Sequence, residues 1–222
     1  MGAGHGHRLH YHGHSAVHRA PAHLKLLALL GFVLLAVAVP PGWWPAYGVL
    51  LLLLAGVVAT SRVPPLYLLR RMWIEVPFLV FAVLLPFVAT GPRTQVGPFS
   101  VSEAGLVAAG ALVAKGTLGV LASLTLAATT EPADVLRGLR RLHVPDLLVQ
   151  IMAFMLRYLD VVTADLGRMT TAMRSRGYDP RSPRHWPALG RSLGALFIRS
   201  YERGERVHLA MLSRGYDGEL PR

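Results

Sequence analysis

The 222-residue chain contains no cysteine. Disulfide bridges, thiolate metal sites and cysteine nucleophiles are therefore excluded. Charge is also scarce: Asp, Glu, Lys and Arg make up 16% of the residues, well below the roughly 25% of an average soluble protein. The depletion is uneven. Between Leu24 and Ala128 the only charged residues are Lys25, Arg62, Arg70, Arg71, Glu75, Arg93, Glu103 and Lys115, whereas the chain from Thr129 onward is rich in Arg, Asp and Glu. No phosphate-binding loop occurs, because Ala114-Lys115-Gly116-Thr117 lies inside an apolar run rather than after a strand. Nor is there a His-x-x-x-His pair with a flanking Glu or a pair of acids in an apolar segment, so the expectation is a non-catalytic protein. No cleavable leader is evident either, since Pro40-Pro41-Gly42-Trp43-Trp44 is no small-residue cleavage site.

What is abundant is apolar sequence, at 53%. Four stretches stand out: Leu24–Val39, Trp43–Thr60, Met72–Thr90 (with Pro77 and Pro86) and Val101–Ala128. The first would form about 24 Å of helix, short against a hydrocarbon layer of roughly 30 Å. Four in succession make a soluble fold improbable. Arg8, Arg19 and Lys25 flank the first stretch on its N-terminal side, and Arg62, Arg70 and Arg71 follow the second. The Pro40–Tyr47 connection has no basic residue, and the next has only Arg93. Basic and non-basic connections alternate, as expected for four membrane helices with both termini in the cytoplasm of a multi-pass plasma-membrane protein. The net charge of +11 belongs to those flanks, and no nucleic-acid partner is expected.

Small residues four apart in the last stretch, Gly105/Ala109 and Gly110/Ala114, allow close helix packing. Lys115 lies mid-stretch, where an ammonium requires a partner. Glu75 is one candidate; backbone carbonyls are the alternative.

The expected organisation is a His-rich cytoplasmic tail over 1–23, a transmembrane helical domain over 24–128 and a cytoplasmic domain over 129–222. The last domain begins with a short helix carrying Arg137, Arg140 and Arg141. Two long helices follow, from Asp146 to Arg176 and from about Ala188 to Arg214, the second openly amphipathic. The fold class is all-α. In the tail, His5, His7, His10, His12 and His14 are clustered imidazoles of the kind that bind cobalt or nickel; a solvated tail is the alternative.

An octapeptide recurs at the end of each long helix: Ala172-Met-Arg-Ser-Arg-Gly-Tyr-Asp179 and Ala210-Met-Leu-Ser-Arg-Gly-Tyr-Asp217. Only the third position differs. Gly177 and Gly215 suit the left-handed residue of a helix cap, and Tyr178 and Tyr216 would then pack on Met173 and Met211. Capping leaves Ala172, Ser175, Ala210 and Ser213 unexplained, and it does not require arginine at 176 and 214. A guanidinium fork can engage a carboxylate bidentately, so Arg176 and Arg214 are candidates for two equivalent contacts with acidic grooves of a partner.

The paired motifs are found together with Leu24-Lys25-Leu26-Leu27-Ala28-Leu29, Leu124-Thr-Leu-Ala-Ala-Thr-Thr130 and Arg199-Ser-Tyr-Glu-Arg-Gly-Glu-Arg206. In this combination the chain from Pro21 to Glu219 resembles the T component of energy-coupling factor (ECF) transporters of the ABC class, cobalt-type CbiQ branch. The resemblance implies a helical scaffold that binds no cofactor itself. Its Ser175-Arg176-Gly177 and Ser213-Arg214-Gly215 motifs would dock into two CbiO-like ATPase subunits, which consume the ATP. ATP-driven motion would pass to a CbiM/CbiN-like substrate-binding membrane subunit for cobalt or nickel uptake, upstream of cobalamin biosynthesis. Vitamin uptake is the alternative, and a membrane-embedded enzyme a more distant one. Many relatives continue into a further membrane helix after the second motif. The expectation here is one fewer span, or a more deeply inserted helix from Asp146.

Overall fold

A computed structural model describes residues 20–61, 64–90, 92–96 and 99–217. The chain is all-α apart from one small hairpin, and it divides into two compact units that meet in sequence at Gly138/Leu139. The histidines expected to bind metal, His5, His7, His10, His12 and His14, lie outside the described residues.

The first unit contains α1 (Ala22–Ala38), α2 (Trp44–Ser61), α3 (Pro65–Leu69), a 3-10 turn (Met72–Glu75) and α4 (Val76–Val88). A two-stranded antiparallel hairpin, β1 (Arg93–Val96) and β2 (Phe99–Ser102), leads into α5 (Glu103–Thr129). The next helix, α6 (Pro132–Arg141), carries the chain across the unit boundary. Helices α1 to α4 all pack on α5, and their partners along it fix their directions. Lys25 Nζ donates to the Thr129 carbonyl (3.0 Å) and Lys115 Nζ to the Val37 carbonyl (2.8 Å), so α1 runs antiparallel to α5. The Trp44 ring covers Gly110. Val58, at the other end of α2, packs against the cluster of Leu68 and Ala128, so α2 runs with α5. Glu75 meets Thr117 and Pro86 meets Gly105, so α4 is antiparallel again. The four apolar segments therefore alternate in direction.

The core between them is small: Ala36, Tyr47, Leu50, Leu54, Ala111, Leu118 and Ala122. Most large apolar side chains face outward instead. Leu52 is 74% exposed, Val88 77% and Trp73 77%. Water would penalise that surface at roughly 25 cal/mol per Å², and a hydrocarbon layer would not. Three helices, Trp44–Ser61, Glu103–Thr129 and Asp146–Ser175, are long and apolar enough to cross a membrane; Ala22–Ala38 and Met72–Val88 are shorter apolar segments.

Two expected boundaries move. The stretch from Met72 is not one helix but a 3-10 turn followed by α4, with Pro77 in the first helical turn and Pro86 buried inside. Pro77 lacks the N–H that a continuing helix would use and its ring crowds the carbonyl four residues back, and both favour a helix start there. The stretch from Val101 begins as strand. Helix α5 starts only at Glu103, where Ser102 caps it by accepting from the Gly105 N–H (3.4 Å). Glycine at 105 is what lets α4 and α5 touch: a Cβ there would lie 2.7 Å from Pro86 Cα. Glu75 and Lys115 do not pair. Glu75, 2% exposed, accepts from the Thr117 hydroxyl (2.5 Å), and Lys115 holds the Val37 carbonyl. Residues 115 and 117 differ by about 200° around α5, so one partner cannot serve both.

The second unit is built on two long helices, α7 (Asp146–Ser175) and α8 (Trp186–Leu212), joined by a connector with a 3-10 turn at Pro183–His185.

Candidate functional site

Helices α7 and α8 form an antiparallel pair. As the position on α7 advances through Gln150, Asp165 and Met173, its partner on the later helix retreats through Tyr216, Arg203 and Ser192. The Tyr216 hydroxyl donates to Gln150 Oε1 (2.8 Å), Arg203 Nη2 donates to Asp165 Oδ2 (3.1 Å), and Ser192 Oγ lies 3.0 Å from Met173 Sδ. The two octapeptides, each at the C-terminus of its helix, are therefore carried to opposite ends of the pair. With a rise of ~1.5 Å per residue, Arg176 stands about 39 Å along α7 from Gln150, beside which the second motif sits.

Each motif folds into the same cap. In the first, the Gly177 N–H donates to the Arg174 carbonyl (3.0 Å) and the Tyr178 N–H to the Met173 carbonyl (3.1 Å). In the second, Gly215 donates to Leu212 (3.0 Å) and Tyr216 to Met211 (3.1 Å). Gly177 and Gly215 hold φ of 81° and 83°. This is the Schellman arrangement, in which a left-handed residue turns the chain back over the helix end. The serines complete it: Ser175 Oγ donates to the Ala172 carbonyl (2.9 Å) and Ser213 Oγ to the Ala210 carbonyl (3.0 Å). A further orphan carbonyl of each last turn is satisfied in this way. Serine, which capping had left unexplained in the sequence, is thus part of the cap. Alanine at 172 and 210 contributes the accepting carbonyl.

Arginine is not consumed by this geometry. Arg176 and Arg214 are exposed, and among the described residues neither guanidinium has a hydrogen-bond or ion-pair partner. Both caps supply their backbone bonds without them, so each fork is left available on a rigid mount. Arg174 and Leu212, the one differing pair, are both exposed as well.

Nothing in the residue spacing signals what sets the two helices against each other. Gln150 is 4% exposed and bound to Tyr216. At mid-pair, Asp165 accepts from both Arg168 and Arg203. The hydrogen bond from Arg168, supported by that from Arg203, holds its carboxyl below the usual carboxylate range, against the opposing effect of burial. On the outer face of α8, Arg206 pairs with Glu202 at 3.8 Å, the i,i+4 pair that the spacing predicts.

Comparison with known proteins places this architecture. The family described as cobalt transport protein CbiQ matches residues 13–222. The cobalt transport protein CbiQ of Rhodobacter capsulatus is 35% identical over 204 residues, covering 88% of this chain and 78% of the relative. The energy-coupling factor transporter transmembrane protein EcfT of Bacillus subtilis is 29% identical, over 93% of this chain and 82% of its own length. The nickel permease LarQ of Lactiplantibacillus plantarum is 32% identical over a shorter match, 42% of this chain and 34% of its own. The chain belongs to the CbiQ family of cobalt transport proteins.

Proposed function

We propose that this protein is the T component of an energy-coupling factor importer for cobalt or nickel, a non-catalytic subunit. It sits in the plasma membrane as a multi-pass protein with both termini in the cytoplasm. Its 24–128 segment is the membrane domain and 129–222 the coupling domain. Two ATPase subunits dock one at each end of the α7–α8 pair, and a substrate-binding membrane subunit rests on the scaffold. The observation that carries this reading is the pair of equivalent caps at opposite ends of one antiparallel helix pair, each presenting an arginine that has no partner among the described residues. A surface meant for one partner needs one such end. Two ends about 39 Å apart suit two copies of a partner, or two related ones, that approach or separate as ATP is consumed. Each fork then meets a carboxylate in a groove, an interaction that strengthens as water is excluded from it. Force on the tips is delivered along stiff helices rather than through loops.

The CbiQ and LarQ names favour a divalent metal as cargo. The EcfT relatives cover 93% or more of this chain and support the second reading, a scaffold serving other substrates through exchangeable capture subunits.

The test is charge reversal. Arg176→Glu combined with Arg214→Glu should release the ATPases in a pull-down and abolish radiolabelled cobalt uptake. Full uptake by that double variant removes the proposal. Competition of the labelled metal by nickel, but not by vitamins, separates the two cargo readings.

A further inference from the structure

We infer that Tyr216 and Gln150 form a force-bearing joint that makes the two arginine tips unequal, with the Arg214 tip driving the start of α7; this rests on the coupling function proposed above.

The tips share their backbone but not their anchors. In each cap the tyrosine follows the left-handed glycine, and its N–H is bonded back to the helix. The backbone of the tyrosine is therefore held in register with that of the arginine two residues earlier. The rings are attached to different places. Tyr178 lies against the His185 imidazole, with centroids 5.6 Å apart, inside the connector that directly follows it. The same connector holds Asp179, whose backbone N–H donates to His185 Nδ1 (2.9 Å) and whose Oδ1 accepts from the Arg181 N–H (2.9 Å). The Tyr178 ring is thus held by a local loop, and the cross-helix contact of this motif is the one between Met173 and Ser192 of α8 (3.0 Å).

Tyr216 instead reaches across 66 positions of sequence to Gln150. Gln150 is 4% exposed and lies one turn into α7. A buried amide whose partner is withdrawn keeps its desolvation cost, so this bond resists separation more than an exposed one would. The start of α7 is in turn tied to α6, because Arg140 Nε donates to Asp146 Oδ1 (2.9 Å) across the short link at Pro145. A pull on Arg214 therefore reaches the point where α7 follows α6, the covalent route toward the first unit. Tyr216 and Gln150 are positioning residues: neither needs to touch an ATPase or the cargo.

The experiment uses the intact complex in proteoliposomes, measuring ATPase capture, ATP hydrolysis and cobalt uptake for Y216F, Q150L, their double variant, Y178F and R214E. Y216F keeps the ring and the cap but deletes the cross-helix donor. It should retain ATPase capture and ATP hydrolysis while cobalt taken up per ATP falls about fivefold, the worth of one net hydrogen bond. Q150L should do the same, and the double variant should fall by less than the product of the two single effects, since the two share a contact. Y178F should leave the ratio unchanged. An equal ratio for Y216F and Y178F overturns the inference, as does an uptake loss that merely follows lost capture. R214E keeps the two ideas apart. If it retains both capture and uptake, the coupling function itself fails; if it loses capture while Y216F keeps its ratio, only the joint fails.

Discussion

The two units handle polar groups in opposite ways. In the first, ionisable residues are few, and three of them bond to another element of the unit. Lys25 and Lys115 hold backbone carbonyls, and Glu75 accepts a threonine hydroxyl. Meanwhile Leu52, Trp73 and Val88 face outward. In the second, guanidiniums stand exposed at both ends of a helix pair, and buried polarity is spent on joining α7 to α8 through Gln150 and Asp165. An unsatisfied polar group in hydrocarbon costs several kcal/mol, and each of these three charged groups has a partner within the first unit. A docking surface must leave some of its bonding capacity open, and the second unit leaves open that of Arg176 and Arg214. The contrast separates a scaffold from a contact.

The contrast can be broken from either side. The largest effect is expected from R176E with R214E, which should eliminate ATPase capture while leaving the membrane unit's melting in detergent unchanged. Next is Gly105→Val. Its Cβ would press on the Pro86 backbone at 2.7 Å, and prying α4 from α5 should cost about 1–3 kcal/mol or more, read as lower yield and thermal stability of the purified chain. Thr117→Val removes the hydroxyl that serves buried Glu75 and should destabilise by about 1–3 kcal/mol. The companion change Glu75→Gln, which keeps an acceptor for Thr117, should cost less. Gly177→Ala meets no neighbouring atom within 4 Å but must adopt a φ of 81°. About 1 kcal/mol of strain should fray that cap, weakening ATPase capture several-fold without altering the melt.

The smallest effect is a pH dependence. The Asp165 carboxyl is held below its ordinary value, chiefly by Arg168 and also by Arg203. Its contribution to stability is complete above the unfolded value near 3.9. It is lost as pH falls through the lower, folded one, when the native state too takes up the proton. Asp165→Asn should flatten the stability profile in that acidic range and leave it unchanged at neutral pH, as followed by helix content against pH.

Much of this was legible in the residues. The apolar runs place α1, α2 and α5 within two or three residues, because membrane-type helices are set by local composition. The glycine caps were legible for the same reason: Gly177 and Gly215 follow amphipathic helices and precede a tyrosine. The break before α4 was less visible. Pro77 signals it, but proline is common enough in membrane helices that the spacing alone did not distinguish a kink from a start. The hairpin at Arg93–Ser102 was missed, since four-residue strands carry too little periodicity to register. The Lys115–Glu75 pairing was also open, because helix phase separates 115 from 117 and only the packing of α1 and α4 shows which neighbour each meets.

Sequence by itself determined the helical class, the apolar first half, the family and the paired arginine motifs, because each follows from composition, local spacing or near-identical repetition. Tertiary structure alone decided that α7 and α8 lie antiparallel, that the two motifs consequently occupy opposite ends, and that Tyr216 bonds Gln150 whereas Tyr178 rests on His185. Those facts depend on contacts between residues far apart in the chain, and no property of either octapeptide alone specifies which distant partner its tyrosine will find.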